Sequence, residues 1–302
     1  MTDYRAQLTG VFTALVTPFK GDAVDYEAFD ALVERQLAAG IAGLVPVGTT
    51  GEAATLSDDE AAEVIARTVK LAAGRCVVMA GAGANDTRTA VAKAIRAEAA
   101  GADMLLVVTP YYNKPSQAGL IAHYQAIAAA TSLPIVLYSV PGRCGVEIAP
   151  ETCKAILDTC PNVVAIKEAG GSVDRVTKLR LACGDRLVIH SGDDALTVPF
   201  LSAGAVGVTS VVANYAPQAM VDLVRAWQAG DTARALVLHE QLSELTAAMF
   251  IEANPGPVKA ALAHAGFSSP DMRLPMVAMS DANRSALVQT LGRFQASFQE
   301  IR

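Results

Sequence analysis

The sequence predicts an α/β protein, a (β/α)8 TIM barrel followed by a small C-terminal helical domain. Three observations lead there. Short apolar runs recur about every 25 to 35 residues, each followed by a stretch of helical periodicity, which is the rhythm of βα units feeding a parallel sheet. Eight such units fit into about 230 residues, as a closed barrel requires, whereas a doubly wound sheet would use fewer strands and a nucleotide-binding turn. Beyond residue 230 the runs stop and only helical periods remain. The expected boundaries are therefore 1–230 for the barrel and 231–302 for the helical domain.

The eight runs, in order, are VFTALVTPF (11–19), GLVPVG (43–48), CVVMAGAG (76–83), DMLLVVTP (103–110), PIVLYSVP (134–141), VVAIKEA (163–169), RLVIHSG (186–192) and AVGVTSV (205–211). Several follow an alanine-glycine break, such as AAGIAG, AAGRC, AAGAD and SAGAVG, where glycine can take the left-handed conformation that ends a helix. The segment GAGAND (81–86) lacks the GxGxxG spacing of a dinucleotide site. It is expected to be an ordinary connection in which Asn85 or Asp86 caps the next helix. The C-terminal helices are expected in DTARALVLHEQLSELTAAMF, PVKAALAHAG and SDANRSALVQTLGRF.

Composition removes several functions. With 52% hydrophobic and 18% charged residues the chain of 302 is built to fold around a sizeable core. Its net charge of -6 and the absence of a basic stretch interleaved with aromatics argue against nucleic acid as a partner. The start, MTDYRAQLTG, lacks a secretion profile, and no apolar run reaches the roughly 18 residues of a membrane span. A soluble, cytoplasmic protein with no membrane association is expected. Five cysteines, never spaced as CxxC, and four histidines without HxxxH or HExxH spacing indicate neither a disulfide framework nor a metal site. The histidines are expected to be surface residues or satisfied core residues.

A barrel places its chemistry at the C-terminal ends of its strands. The polar clusters of this chain sit there: GTTGE (48–52), TPYYN (109–113), YSVPGR (138–143), KEAGG (167–171) and SGDD (191–194). In the sixth run, strict alternation would put Val163, Ala165 and Lys167 on the inward face and Val164, Ile166 and Glu168 on the other. A desolvated lysine there has its pKa lowered and can form a Schiff base with a carbonyl compound. The competing reading is an internal salt bridge to Glu168 or another carboxylate. Tyr138 shares the inward parity of the fifth run and offers a phenol for proton transfer, to which Thr49 and Thr50 can add hydroxyls. The GTTGE loop suits either a carboxylate site or a structural turn. Paired tyrosines in PYYN fit an interface, Arg143 either a carboxylate clamp or a solvated side chain, and Asp193 with Asp194 helix capping before paired acid-base work.

Together these residues resemble the dihydrodipicolinate synthases, pyruvate-dependent Schiff-base enzymes of lysine biosynthesis within the N-acetylneuraminate lyase superfamily. The resemblance runs, in order and without a large insertion, through VTPF, GTTGEAATL, TPYYNKPSQAGL, LYSVPGR, IKEA, SGDDA, GVTSVVAN, NPGPVKAAL and RLPM. It implies condensation of pyruvate with L-aspartate 4-semialdehyde to 4-hydroxy-tetrahydrodipicolinate, with no cofactor and no metal. Lys167 would be the imine-forming nucleophile and Tyr138 the proton donor and acceptor. Thr49 and Tyr112 would complete the relay, Tyr112 reaching in from a neighbouring subunit of a homotetramer built as a dimer of dimers. Thr50 would hold the pyruvate carboxylate, Gly192 and Thr209 would line the pocket, and Arg143 would bind the carboxylate of the second substrate. The alternative is a related pyruvate aldolase acting on a sialic acid or a 2-keto-3-deoxy sugar acid, and Arg143 argues against it. A catalytically silent keto-acid binder is the rival from another class.

The chain departs from the family pattern at Ser139, Cys144 and Thr209, where asparagine, threonine and isoleucine are usual. None of these removes a reacting group. At the positions of the family's allosteric lysine pocket Asn85 and Tyr111 remain, while Asp58, Ala61 and Thr89 stand where histidine, histidine and glutamate are usual. Weak or absent inhibition by lysine is the expectation.

Overall fold

The computed structural model describes residues 3–299, so residues 1–2 and 300–302 of the two expected segments lie outside the described residues. Eight parallel strands form a closed barrel: β1 (Gly10–Ala14), β2 (Gly43–Val45), β3 (Val77–Gly81), β4 (Met104–Val108), β5 (Ile135–Ser139), β6 (Val163–Glu168), β7 (Val188–Ser191) and β8 (Gly207–Ser210). β1 pairs with both β2 and β8, which leaves no open edge. A helix follows every strand before the chain returns, as the repeat of apolar runs predicts.

Local chemistry sets the helix ends. The breaking glycines Gly40, Gly74, Gly101 and Gly204 all have positive φ and stand just past a helix. Ser57 and Glu60 make a reciprocal capping box at the start of Asp58–Ala72. In GAGAND it is Asp86 that caps Thr87–Ala99, accepting from the Arg88 N–H at 3.3 Å.

Two apolar cores result. Inside the barrel, Phe12, Val45, Met79, Met104, Leu106, Val136 and Val188 pack with Leu8, from the short helix Tyr4–Leu8 that precedes β1. A larger core fills the space between strands and helices, where each buried Leu, Ile or Phe contributes about 1.5 to 3 kcal/mol. Three helices follow the barrel: Thr232–Met249, Gly256–His264 and Asp281–Gln299. The first packs beside Pro217–Gln228 and beside the last.

Two expectations are corrected. The first run, 11–19, gives a strand only as far as Ala14, and Phe19 instead joins a two-stranded hairpin, Phe19–Lys20 with Ala23–Val24. Its apolar character persists because Phe19 is fully buried beneath Lys259 of the C-terminal helices. In β6 the simple alternation fails. Pairing with β5 jumps from Ile135–Val163 to Val136–Ala165, so Val164 is an extra residue, a β-bulge. Val163 therefore lies in the outer core, while Val164 and Ala165 both belong to the inner one. Beyond the bulge the alternation holds, and Lys167 shares the inner side with its register partner Tyr138.

Candidate active site

The polar strand ends converge on the C-terminal mouth of the barrel around a cavity of about 520 Å³. From the barrel it is lined by Gly48, Thr49, Thr50, Tyr138, Arg143, Lys167, Gly192 and Asp193, among apolar residues such as Val45, Leu106 and Val211. His239, Ser243, Thr246, Ala247, Phe250 and Asn254 close the other side from the C-terminal segment.

Lys167 is only 6% exposed, and its Nζ sits 4.3 Å from the centroid of the Tyr138 ring. Burial pushes its ammonium pKa down to about 8; the Asp194 carboxylate opposes that shift and the Arg143 guanidinium adds to it. The competing salt bridge to Glu168 is not formed. Glu168 faces the helices, fully buried, and accepts from Arg175 Nη2 at 2.9 Å and from the Gly170 N–H at 2.7 Å. Arg175 also pairs with Glu147 at 2.7 Å, so the charge behind β6 is absorbed without Lys167.

Tyr138 lies beside the amine and is 7% exposed. Burial pushes its phenol up to about 12, against the pull of the Arg143 charge and of a hydrogen bond with Thr49. It therefore stays protonated at neutral pH and can hand a proton to the reacting centre and recover it through Thr49. Thr50 is buried and its Oγ1 accepts from Asn254 Nδ2 at 3.0 Å. Arg143 stands at the mouth, with Nη2 3.4 Å from the Asn254 carbonyl oxygen. Gly192 keeps space beside the lysine, since a Cβ there would lie 3.2 Å from Lys167 Cε and 2.7 Å from the Ala169 Cβ.

Other expected residues fall elsewhere. The Thr209 side chain does not line the cavity. It is buried inside the barrel, with Oγ1 2.9 Å from His190 Nδ1, and Val211 takes the lining position two residues on. Of the two aspartates only Asp193 caps, accepting from the Ala195 N–H at 3.0 Å. Asp194 is buried, accepts from the Val211 N–H at 2.9 Å and from Ser210 Oγ, and has its carboxyl pushed up to about 6 by burial. Tyr112 is 88% exposed, at φ 72°, and does not line this chain's own cavity. Tyr111 is also exposed, and the Asn85 carbonyl accepts from Asn113 Nδ2 at 2.8 Å.

Sequence reasoning missed the wall supplied by the C-terminal segment. His239, Ser243, Thr246 and Phe250 are spaced four, three and four apart, one face of a helix, which is the signal that marks a shared surface. His239 was grouped with the bland histidines, yet it lines the cavity. Among the described residues no cluster of three or more His, Cys, Asp or Glu side chains is arranged to hold a metal, and no helix is long and apolar enough to cross a membrane.

A desolvated lysine beside a phenol, at the C-terminal mouth of a TIM barrel, defines the class: lyases of the class I aldolase type, which bind a carbonyl substrate as an imine. Within it the chain belongs to the Dihydrodipicolinate synthetase family, whose model matches residues 7–293. It is 50% identical over 278 residues to the 4-hydroxy-tetrahydrodipicolinate synthase of Magnetococcus marinus, covering 92% of this chain and 95% of that protein. The solved 4-hydroxy-tetrahydrodipicolinate synthase of Methylacidiphilum fumariolicum SolV superposes with a TM-score of 0.95 at 45% identity, covering 97% of this chain and 98% of that one. A monomeric dihydrodipicolinate synthase variant gives 0.93 at 41% identity, covering 97% and 99%.

Proposed function

We propose that the chain condenses pyruvate with L-aspartate 4-semialdehyde to 4-hydroxy-tetrahydrodipicolinate, a step toward diaminopimelate and lysine. The observation that carries the reading is the Lys167 amine, buried against the Tyr138 ring and held at about 8, with Arg143 at the cavity mouth. Neutral Lys167 attacks the keto carbon of pyruvate, whose carboxylate is held by the Thr50 hydroxyl and neighbouring N–H groups of the GTTGE turn. Tyr138, through Thr49, supplies the proton with which the carbinolamine oxygen leaves as water. Loss of a methyl proton converts the imine to an enamine, whose carbon adds to the aldehyde of the second substrate. The α-carboxylate of that substrate pairs with Arg143, and its amine then attacks the imine carbon, closing the ring and releasing Lys167. The protonated imine is itself the electron sink, so the reading calls for no organic cofactor or metal.

Tyr112 belongs to this proposal as a relay residue delivered by a neighbouring subunit of a homotetramer, a dimer of dimers. Its exposure on its own chain supports that role, and a cytoplasmic location suits the substrates. Lysine is proposed to inhibit weakly or not at all: Asp58 is tied to Arg96 at 2.6 Å, and Thr89 donates to Asp86 at 2.9 Å. The deciding experiment is a coupled assay with pyruvate and the semialdehyde beside sialic and 2-keto-3-deoxy sugar acids. Turnover only with the semialdehyde, lost in Lys167→Ala, supports the reading; faster turnover of a sugar acid replaces it.

A further inference from the structure

The GTTGE turn carries Thr49 and Thr50, and the backbone is strained at its last residue and just before its first. Val47 sits at φ 57° and Glu52 at φ 54°, both outside the comfortable range of residues with side chains. Such a conformation is costly and persists only where its surroundings over-determine it. At Glu52 those surroundings come from the far end of the chain. Lys259, fully buried, donates to Glu52 Oε1 at 2.6 Å and to the Thr17 carbonyl at 2.9 Å, with its Nζ 4.3 Å from the Phe19 ring centroid. The other Glu52 oxygen accepts from the Arg273 N–H at 3.1 Å. Thr17 in turn donates from Oγ1 to the Gly51 carbonyl at 2.8 Å. A buried ion pair gives little net stability over apolar residues of the same volume, so its presence asks for another explanation.

We infer that Lys259 is a positioning residue of the active site, acting through Glu52. Its ammonium fixes the distal end of the Gly48–Glu52 turn, and the turn so fixed keeps Thr49 and Thr50 in the cavity wall beside Tyr138. The inference rests on the imine reaction proposed above, in which Thr49 and Thr50 serve. The same segment grips the turn a second time, through the Asn254 bond to Thr50. The helix Gly256–His264 therefore registers the catalytic turn against the C-terminal part of the chain.

The test uses Lys259→Met and the double variant Glu52→Gln/Lys259→Met, each with and without Thr49→Val. Borohydride trapping of pyruvate on Lys167 in the parent protein comes first, and its failure would sink the imine reading alone. Given trapping, the double variant is expected to fold, since it holds no unpaired buried charge, and still to trap pyruvate with an unchanged pH dependence. Its kcat/KM is expected to fall about 100-fold, the size of loss that follows misplacement by about 1 Å. Adding Thr49→Val should then cost less than about threefold, because the two changes act as one. A folded double variant within about threefold of the parent, or a Thr49→Val loss that simply multiplies, overturns the inference. So does failure of both variants to fold, which would make the pair a requirement of the fold and not of the turn.

Discussion

At Lys167 the decisive quantity is a protonation equilibrium. The amine is held at about 8, against an ordinary 10.5, by the loss of water around it. About a tenth of it is neutral at pH 7, so borohydride trapping with pyruvate should accelerate about tenfold from pH 6 to 7 and level off above 8. A profile still rising at pH 10 would mean that the lysine is solvated. The unfolded chain binds the extra proton between 8 and 10.5, so stability should rise with pH across that window. The cost of keeping the charged amine dry is complete below 8 and gone above 10.5. Asp194→Asn removes the carboxylate that opposes the shift, and should move the trapping midpoint below its parent value. Arg143→Ala should raise KM for the semialdehyde about tenfold or more, as expected of a lost charge-assisted carboxylate contact, while pyruvate is still trapped with its midpoint moved above the parent value, because the guanidinium that adds to the shift is gone. Lys167 was legible because a lysine ending an apolar run is costly, and Tyr138 because it shares parity across the next strand. Thr209 was placed at the pocket by the family resemblance, which carries over a position but not a contact, and here its hydroxyl meets His190 inside the barrel instead.

The pairing of β7 and β8 contains a feature that no local pattern announces. His190 sits inside the barrel with Nε2 2.7 Å from the Leu8 carbonyl and Nδ1 2.9 Å from Thr209 Oγ1, edge-on to Phe12 at 5.0 Å between centroids. Gly207 makes the room, since a Cβ there would lie 2.5 Å from His190 Nε2. The departure at Thr209 thus has a partner, and the pair should be coupled. Thr209→Ile alone leaves a buried ring nitrogen unsatisfied and should cost about 1 to 3 kcal/mol in urea unfolding. His190→Leu with Thr209→Ile should recover much of that, and equal losses in single and double variants would deny the coupling. Burial holds His190 neutral, with its pKa pushed down to about 4 from 6.5. The unfolded chain takes up that proton between 6.5 and 4, so stability falls as pH drops through the window, and the double variant should lose that part of its acid sensitivity. The bulge at Val164 was hidden for a related reason. The first four residues of β6, Val163 to Ile166, are all apolar and offer no polar mark by which a skipped residue could be noticed.

For the molecule as a whole, the proposed assembly can be tested through Tyr112. Tyr112 is held at positive φ with its ring in solvent, an arrangement that fits a residue spent on another subunit. Mixing Lys167→Ala with Tyr112→Ala subunits should then restore activity that neither shows alone, because one hybrid site combines an intact lysine with an intact tyrosine. If the mixture stays as inactive as its components while hybrids form by mass, each chain works without its neighbour's tyrosine.

The sequence by itself determined the eight-fold alternation, the rim that gathers the polar residues, and the lysine and tyrosine on adjacent strands. These follow from short-range rules: the period of apolar residues, glycine at helix ends, and the cost of an isolated buried charge. Only the tertiary structure decided that the lysine makes no salt bridge to Glu168, which pairs with Arg175 instead, that Thr209 answers His190, and that Glu52 meets Lys259 across about 200 residues of chain. Those contacts join segments remote in sequence, and the closure of the barrel and the docking of the C-terminal helices, not any local pattern, bring them within hydrogen-bonding distance.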